Sequence, residues 1–160
     1  MITFLPSNIF SESAMMLDQK RLGNQRPEAY GILELLLGIK KDSKHINDPG
    51  VRMWKGYSFA LATYICIMCN EWVNRGHKDT IKEKVMSLGT SGRGFSDFNS
   101  TLVQDIVMPP WLGDERLHSS HRSNLLRKDH KFYSKYGWTE NDDQSYFWPV
   151  EKEINVESKK

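Results

Sequence analysis

The sequence predicts a mainly α fold: a single compact helical domain around one long central helix. Three observations carry that prediction. No Pro interrupts residues 51–75, and within them Trp54, Tyr57, Leu61, Tyr64, Ile65, Met68 and Trp72 recur at steps of three or four. That is helical periodicity over roughly six turns. Helix punctuation stands on both sides of it, and no segment shows the strict alternation of a strand. The chain has 160 residues, 39% of them apolar and five of them Trp, enough for one core without staples.

In chain order, Ser11 is a plausible N-cap for a first helix over residues 12–22, with Gly23 as its stop. Pro27 suits the first turn of a second helix reaching Gly38. Residues 18–28 between the two apolar faces read as a polar, basic hinge. Residues 40–50 form a loop ending in the turn signal Asn47-Asp48-Pro49-Gly50. The central helix is predicted over residues 51–75 and closed by Gly76, with a short helix over 79–88. Gly89-Thr90-Ser91-Gly92-Arg93-Gly94 reads as a mobile connection, because no Gly-Lys-Ser/Thr follows to make a phosphate loop. Pro109-Pro110 stiffens the approach to a last helix over 119–128. Residues 1–150 make the domain, and residues 151–160 a flexible tail of mixed charge.

Two Cys give no disulfide framework, which points to a reducing compartment and a cytoplasmic protein, or a viral one acting inside a host cell. No apolar run is long enough to span a bilayer, and residues 1–6 lack the basic start of a signal peptide. A monomer with no membrane partner and no cofactor is expected.

Net charge is only +2, but its distribution is uneven. Residues 116–136 hold Arg116, Arg122, Arg127, Lys128, Lys131 and Lys135 against one acid, Asp129, while residues 137–160 are rich in Asp and Glu. Such a basic block suits a nucleic-acid backbone. His118, His121, Arg122 and Asn124, with Ser119 and Ser120, offer hydrogen-bond donors for phosphate and sugar oxygens. The two His, three apart, could instead hold a metal with Asp114, and a plain solvated face is the third reading. Phe132, Tyr133, Tyr136 and Trp138 interleave with Lys131 and Lys135, either to stack on bases or to anchor the C-terminal part on the core. Cys66 and Cys69 form half a zinc site at most and fall inside an apolar helix, so core packing is the better account.

The most chemical cluster is Lys20, Arg21 and Arg26 with Glu28. A carboxylate among three cations stays ionised and can stabilise a developing sugar cation or move protons. A surface salt bridge is the alternative.

Several stretches together resemble the pyrimidine-dimer DNA glycosylases, small helical repair enzymes typified by a bacteriophage endonuclease V. The helix end Glu71-Trp72-Val73-Asn74-Arg75-Gly76 with Lys78-Asp79-Thr80 looks like the family's, and His130-Lys131-Phe132-Tyr133-Ser134-Lys135-Tyr136-Gly137 looks like its aromatic and basic tail. A basic N-terminal helix-turn with one Glu precedes both, and the likeness spans about residues 1–138 in a divergent branch.

The resemblance implies a single helical domain that removes a damaged or modified pyrimidine, such as a dimer, from double-stranded DNA, with a coupled abasic-site lyase. It implies an N-terminal amine that attacks the sugar and forms a Schiff base, Glu28 as the catalytic carboxylate, and Arg26 as its phosphate-binding neighbour. Lys20 or Arg21 stands where the family has a His. The family nucleophile is the amine of a Thr exposed by removal of Met. Here Ile2 is bulky, which makes the Met1 amine the candidate nucleophile, with Lys20 as a substitute. An α-amine titrates near ~8, well below a Lys, so it forms Schiff bases readily at neutral pH. On this reading Arg122, Arg127, Lys128, Tyr133 and Lys135 belong to the opposite wall of a DNA cleft. The rival readings are a non-catalytic binder of distorted or modified DNA, and a metal-dependent nuclease at His118 and His121.

Overall fold

The computed structural model describes residues 1–41, 44–90 and 106–150, without the side chains of residues 89 and 90. Among the described residues it is mainly α, with seven helices and no strand. They are α1 (Phe10–Met16), α2 (Gln19–Leu36), α3 (Pro49–Arg52), α4 (Ser58–Asn74), α5 (Ile81–Thr90), α6 (Glu115–Lys128) and α7 (His130–Tyr133), followed by a 3₁₀ turn over Ser134–Tyr136. None of the described helices is long and apolar enough to cross a membrane. The tail 151–160 and most of the Gly-rich connection 89–94 lie outside the described residues.

The central helix is α4, which packs against α1, α2 and α5. Leu61, Tyr64, Ile65 and Met68 are fully buried. Cys66 and Cys69 are buried beside them, and burial pushes the Cys66 thiol up to about 11. Inert core thiols result, as the sequence suggested.

The helix expected over 79–88 runs over Ile81–Thr90, and the one expected over 119–128 starts earlier, at Glu115. Three further differences from expectation each have a physical reason. The central helix does not run from residue 51. α3 ends at Arg52, and the chain turns through Gly56, whose φ of +86° is the left-handed region that favours Gly. This turn sends Trp54 into the core, where its indole donates to Thr3 Oγ1 at 3.0 Å.

The first helix stops at Met16, not at Gly23, and Ser11 is not its cap: Ile9 stands at that position. Leaving the helix there lets Leu17 fall into the core and brings Asp18 to Tyr133. The Tyr133 hydroxyl accepts from the Asp18 N–H at 3.0 Å and donates to the Asp18 carboxylate.

The expected hinge at residues 18–28 does not exist, because α2 runs straight through Gly23 and Pro27. Gly23 is a point of close approach. A Cβ there would stand 2.9 Å from the Trp72 ring of α4. Packing of α2 on α4 overrides the two helix breakers.

Beyond α7, Gly137 (φ +67°) ends the turn and residues 138–150 cross α6 as a strap. Asn124 donates to the Gln144 carbonyl at 3.0 Å, Gln144 N–H to Ser123 Oγ at 3.0 Å, and Phe147 N–H to Ser120 Oγ at 3.0 Å. The Ser and Asn side chains of α6 therefore do the work of a strand partner.

Candidate active site

Residues 1–6 thread through the middle of the molecule, and side chains from α2, α4 and α6 bond their backbone. On α2, Gln25 holds two groups at once: its amide oxygen accepts from Phe4 N–H at 2.9 Å and its amide nitrogen donates to the Ile2 carbonyl at 2.8 Å. Glu28 Oε1 accepts from Ile2 N–H at 3.0 Å. From α4, the Tyr64 hydroxyl donates to the Phe4 carbonyl at 2.8 Å. From α6, His121 Nδ1 accepts from Leu5 N–H at 2.8 Å, His118 Nδ1 lies 2.8 Å from the Leu5 carbonyl, and Arg122 donates to the Pro6 carbonyl at 2.9 Å. The chain start has two charged neighbours: Glu28 at its first peptide and Asp48, whose carboxylate is 3.7 Å from the Met1 amine.

Arg21, Gln25 and Glu28 fall at i, i+4 and i+7 on α2 and so share a face. With Lys20, Asn24, Ile2 and Phe4, and with Lys128 from the end of α6, they line an open pocket of ≈ 340 Å³. One carboxylate and three cations thus meet at the N-terminal segment. The strap adds a ring nearby. Tyr146 packs edge to face on His121. Its hydroxyl is pushed up chiefly by burial, with Arg127 and Arg21 opposing and Glu28 adding, so it stands within the field of the pocket.

The structure distributes the predicted residues unevenly. Lys20, Arg21, Glu28 and Lys128 line the pocket. Met1 lies beside it, next to Asp48. Arg26 does not reach the pocket: its guanidinium pairs with Asp79 and lies 4.5 Å above the Trp72 ring, joining α2 to α4 and α5. Burial opposes the Asp79 charge, but hydrogen bonds from the Lys82 backbone and Arg26 win and hold its carboxyl below the usual range.

His118, His121, Asn124 and Tyr133 are corrected from DNA contacts to core residues, since each is 2% exposed or less and bonded inside the fold. Arg122 is corrected likewise, being bound to Glu115, Glu140 and the Pro6 carbonyl. Arg127 donates to the Asp142 carbonyl of the strap at 3.0 Å and pairs with Asn124. Lys135 is exposed and sits 3.8 Å over the Phe132 ring. Tyr133 stacks on Trp138, and the Tyr136 hydroxyl donates to the Met16 carbonyl at 3.0 Å, so the aromatic tail is an anchor on the core.

The metal reading fails on lone pairs. His118 Nε2 accepts from Gly113 N–H at 3.0 Å and His121 Nδ1 accepts from Leu5 N–H. Each neutral ring has a single acceptor nitrogen, and both are occupied. Among the described residues no group of three or more His, Cys, Asp or Glu is placed to hold a metal ion.

Sequence reasoning passes over Gln25, Asn24, Asp48, Gly50 and Tyr146. For Gln25 and Asn24 the signal is present: both share a helical face with Glu28 once α2 is read as unbroken. The others become visible only when distant segments meet.

A basic, open pocket around a carboxylate, on an all-helical scaffold, suits a polyanionic ligand. Comparison with known families is more particular. The family model described as pyrimidine dimer DNA glycosylase matches residues 1–84, more than half of the chain, and the chain belongs to that family. Membership makes it a DNA glycosylase by class, with DNA bearing pyrimidine dimers as the substrate the family description gives. No protein of curated function and no solved structure matches the chain.

Proposed function

We propose that the protein excises damaged or modified pyrimidines from double-stranded DNA and nicks the resulting abasic site. In this reading an N-terminal amine forms a Schiff base at the sugar, and Glu28 is the catalytic carboxylate. The supporting observation is that Glu28, in a pocket lined by Lys20, Arg21 and Lys128, is hydrogen-bonded to the first peptide of the chain at 3.0 Å. Three cations at that pocket hold phosphates around the lesion. Glu28 faces the sugar as positive charge develops there, and later helps to move protons. The target nucleotide leaves the base stack to reach it.

Borohydride reduction of a Schiff base links protein to DNA covalently, so trapping on dimer-containing and abasic duplexes is the direct test. Wild type is expected to trap and to cut. Glu28→Gln, which keeps shape and loses charge, is expected to lower the cleavage rate ~10²-fold or more with binding retained. Equal rates for Glu28→Gln and wild type would remove Glu28 from the mechanism. Tight, salt-sensitive binding without trapping or cutting would leave a binder of distorted DNA.

A further inference from the structure

We propose that Asp48 is the proton acceptor for the α-amine of Met1, and that His45 positions the Asp48 carboxylate for this work. The proposal rests on the Schiff-base reading above. Met1 N lies 3.7 Å from Asp48 Oδ2, and the same oxygen is 3.1 Å from His45 Nδ1. Asp48 precedes α3, yet its side chain does not cap that helix, and its Oδ2 faces the amine and His45 instead.

Two glycines seat the first residue. At Gly50 a Cβ would stand 1.9 Å from the Met1 carbonyl oxygen, so no other residue fits while Met1 is in place. At Gly31 a Cβ would be 3.6 Å from the Met1 methyl carbon, an ordinary contact. The start of the chain thus lies between two carboxylates with different surroundings. Glu28 lines the basic pocket, and Asp48 does not.

The chemistry needs the second carboxylate. An ammonium has no lone pair, so the amine first gives a proton to Asp48, which is 32% exposed and passes it to water. The nitrogen pair then bonds the sugar C1′ as the bond from C1′ to the base breaks, and the base leaves with the electron pair of that broken bond and is protonated by water. The new secondary ammonium gives its remaining extra proton to Asp48. Its pair forms the C1′=N bond while the ring oxygen leaves C1′ and takes up a proton. No oxidant or reductant is involved. Glu28 meets the chain at the Ile2 N–H and lines the pocket, whereas Asp48 is the carboxylate that pairs with the amine itself.

The test is borohydride trapping of the full chain on a duplex with a preformed abasic site, which removes lesion recognition from the measurement. Intact-mass analysis is run alongside it, and thermal melting confirms that each variant folds. Asp48→Asn is expected to trap at least tenfold more slowly at unchanged DNA affinity. Asp48→Glu is expected to retain most of the rate, and His45→Gln to lose a few-fold. Added formate is expected to speed Asp48→Ala and leave wild type unchanged, a response that a merely structural Asp48 would not give. Gly50→Ala is expected to trap poorly while still binding DNA.

Asp48→Asn trapping as fast as wild type overturns the proposal, as does failure of formate to rescue Asp48→Ala. Normal trapping by protein whose mass shows Met1 removed overturns it too, while the Schiff-base reading with Glu28 survives. Wild type that never traps removes both.

Discussion

Single residues in this protein do jobs usually given to strands. Gln25 bonds the Phe4 N–H and the Ile2 carbonyl, both within a helical protein that has no sheet among its described residues to pair them. Gln25→Ala strands two backbone groups, and a destabilisation of about 2–4 kcal/mol is expected from urea unfolding. A loss below about 1 kcal/mol would mean that water replaces the side chain. His118 and His121 hold the two polar groups of Leu5 in complementary ways. His121 accepts at Nδ1 and so carries its proton on Nε2; His118 accepts at Nε2 and so donates from Nδ1. Burial, with His118 adding to it, pushes the His121 imidazole down to about 3. Its folded value therefore lies below its unfolded one. Between about pH 6.5 and 3 the unfolded chain binds a proton that the folded chain refuses. Stability from this group is complete above that window and falls as pH drops through it, by about 1.4 kcal/mol per unit. Unfolding measured at pH 7.5, 6 and 5 is expected to show this slope in wild type and a flatter one in His121→Gln. An unchanged slope would place the titrating group elsewhere.

Among the elements, α2 shows what local signals can and cannot tell. Gly23 and Pro27 are helix breakers by propensity, and read locally they give two helices with a hinge. What decides the outcome is the face opposite the pocket, where Gly23 admits the Trp72 ring and Arg26 reaches Asp79. The helical class, the central helix and the pocket residues Lys20, Arg21 and Glu28 are legible in the sequence because periodicity and charge clustering are local. The role of α6 is not. Its Ser, His and Asn side chains look like phosphate ligands in isolation, and only the crossing of residues 1–6 and 138–150 over the same helix shows where their hydrogen bonds go. The Trp72 to Thr80 stretch that carries the family likeness has a structural task as well: it supplies the ring under Arg26, and Asp79 both pairs Arg26 and accepts from the Lys82 N–H at the start of α5, at 2.9 Å. Gly→Ala inside a helix ordinarily stabilises by about 1 kcal/mol. Gly23→Ala is expected to destabilise by about 1–3 kcal/mol instead, because the added carbon meets an indole ring held by the His77 stack, the Arg26 guanidinium and a bond to the Lys78 carbonyl. A raised melting temperature would show that α2 and α4 can part at no cost.

At the scale of the whole molecule, the basic block at residues 116–136 divides into three populations. Arg122 is held between the strap and the N-terminal segment, the exposed Arg127 is tied to the strap, and the carboxylate of Glu140, which by sequence belongs to an acid-rich C-terminal stretch, is the partner of Arg122. Lys128 faces the pocket with Lys20 and Arg21. Of the block, Lys128 alone joins the cations at Glu28, while Arg116, Lys131 and Lys135 are exposed elsewhere on the surface. This separation is measurable, because removing one cation that neutralises a DNA phosphate lowers the slope of log affinity against log salt by about one. Lys20→Gln and Lys128→Gln are each expected to reduce that slope by about one with the melting temperature unchanged. Arg122→Ala is expected to do the opposite. It strands the carboxylate of Glu140, only 9% exposed, and removes the bond to the Pro6 carbonyl, at a cost of about 2–4 kcal/mol, and leaves the salt slope near wild type. If Arg122→Ala instead lowers the slope while the protein melts normally, the α6 face meets DNA directly and the strap must leave it on binding.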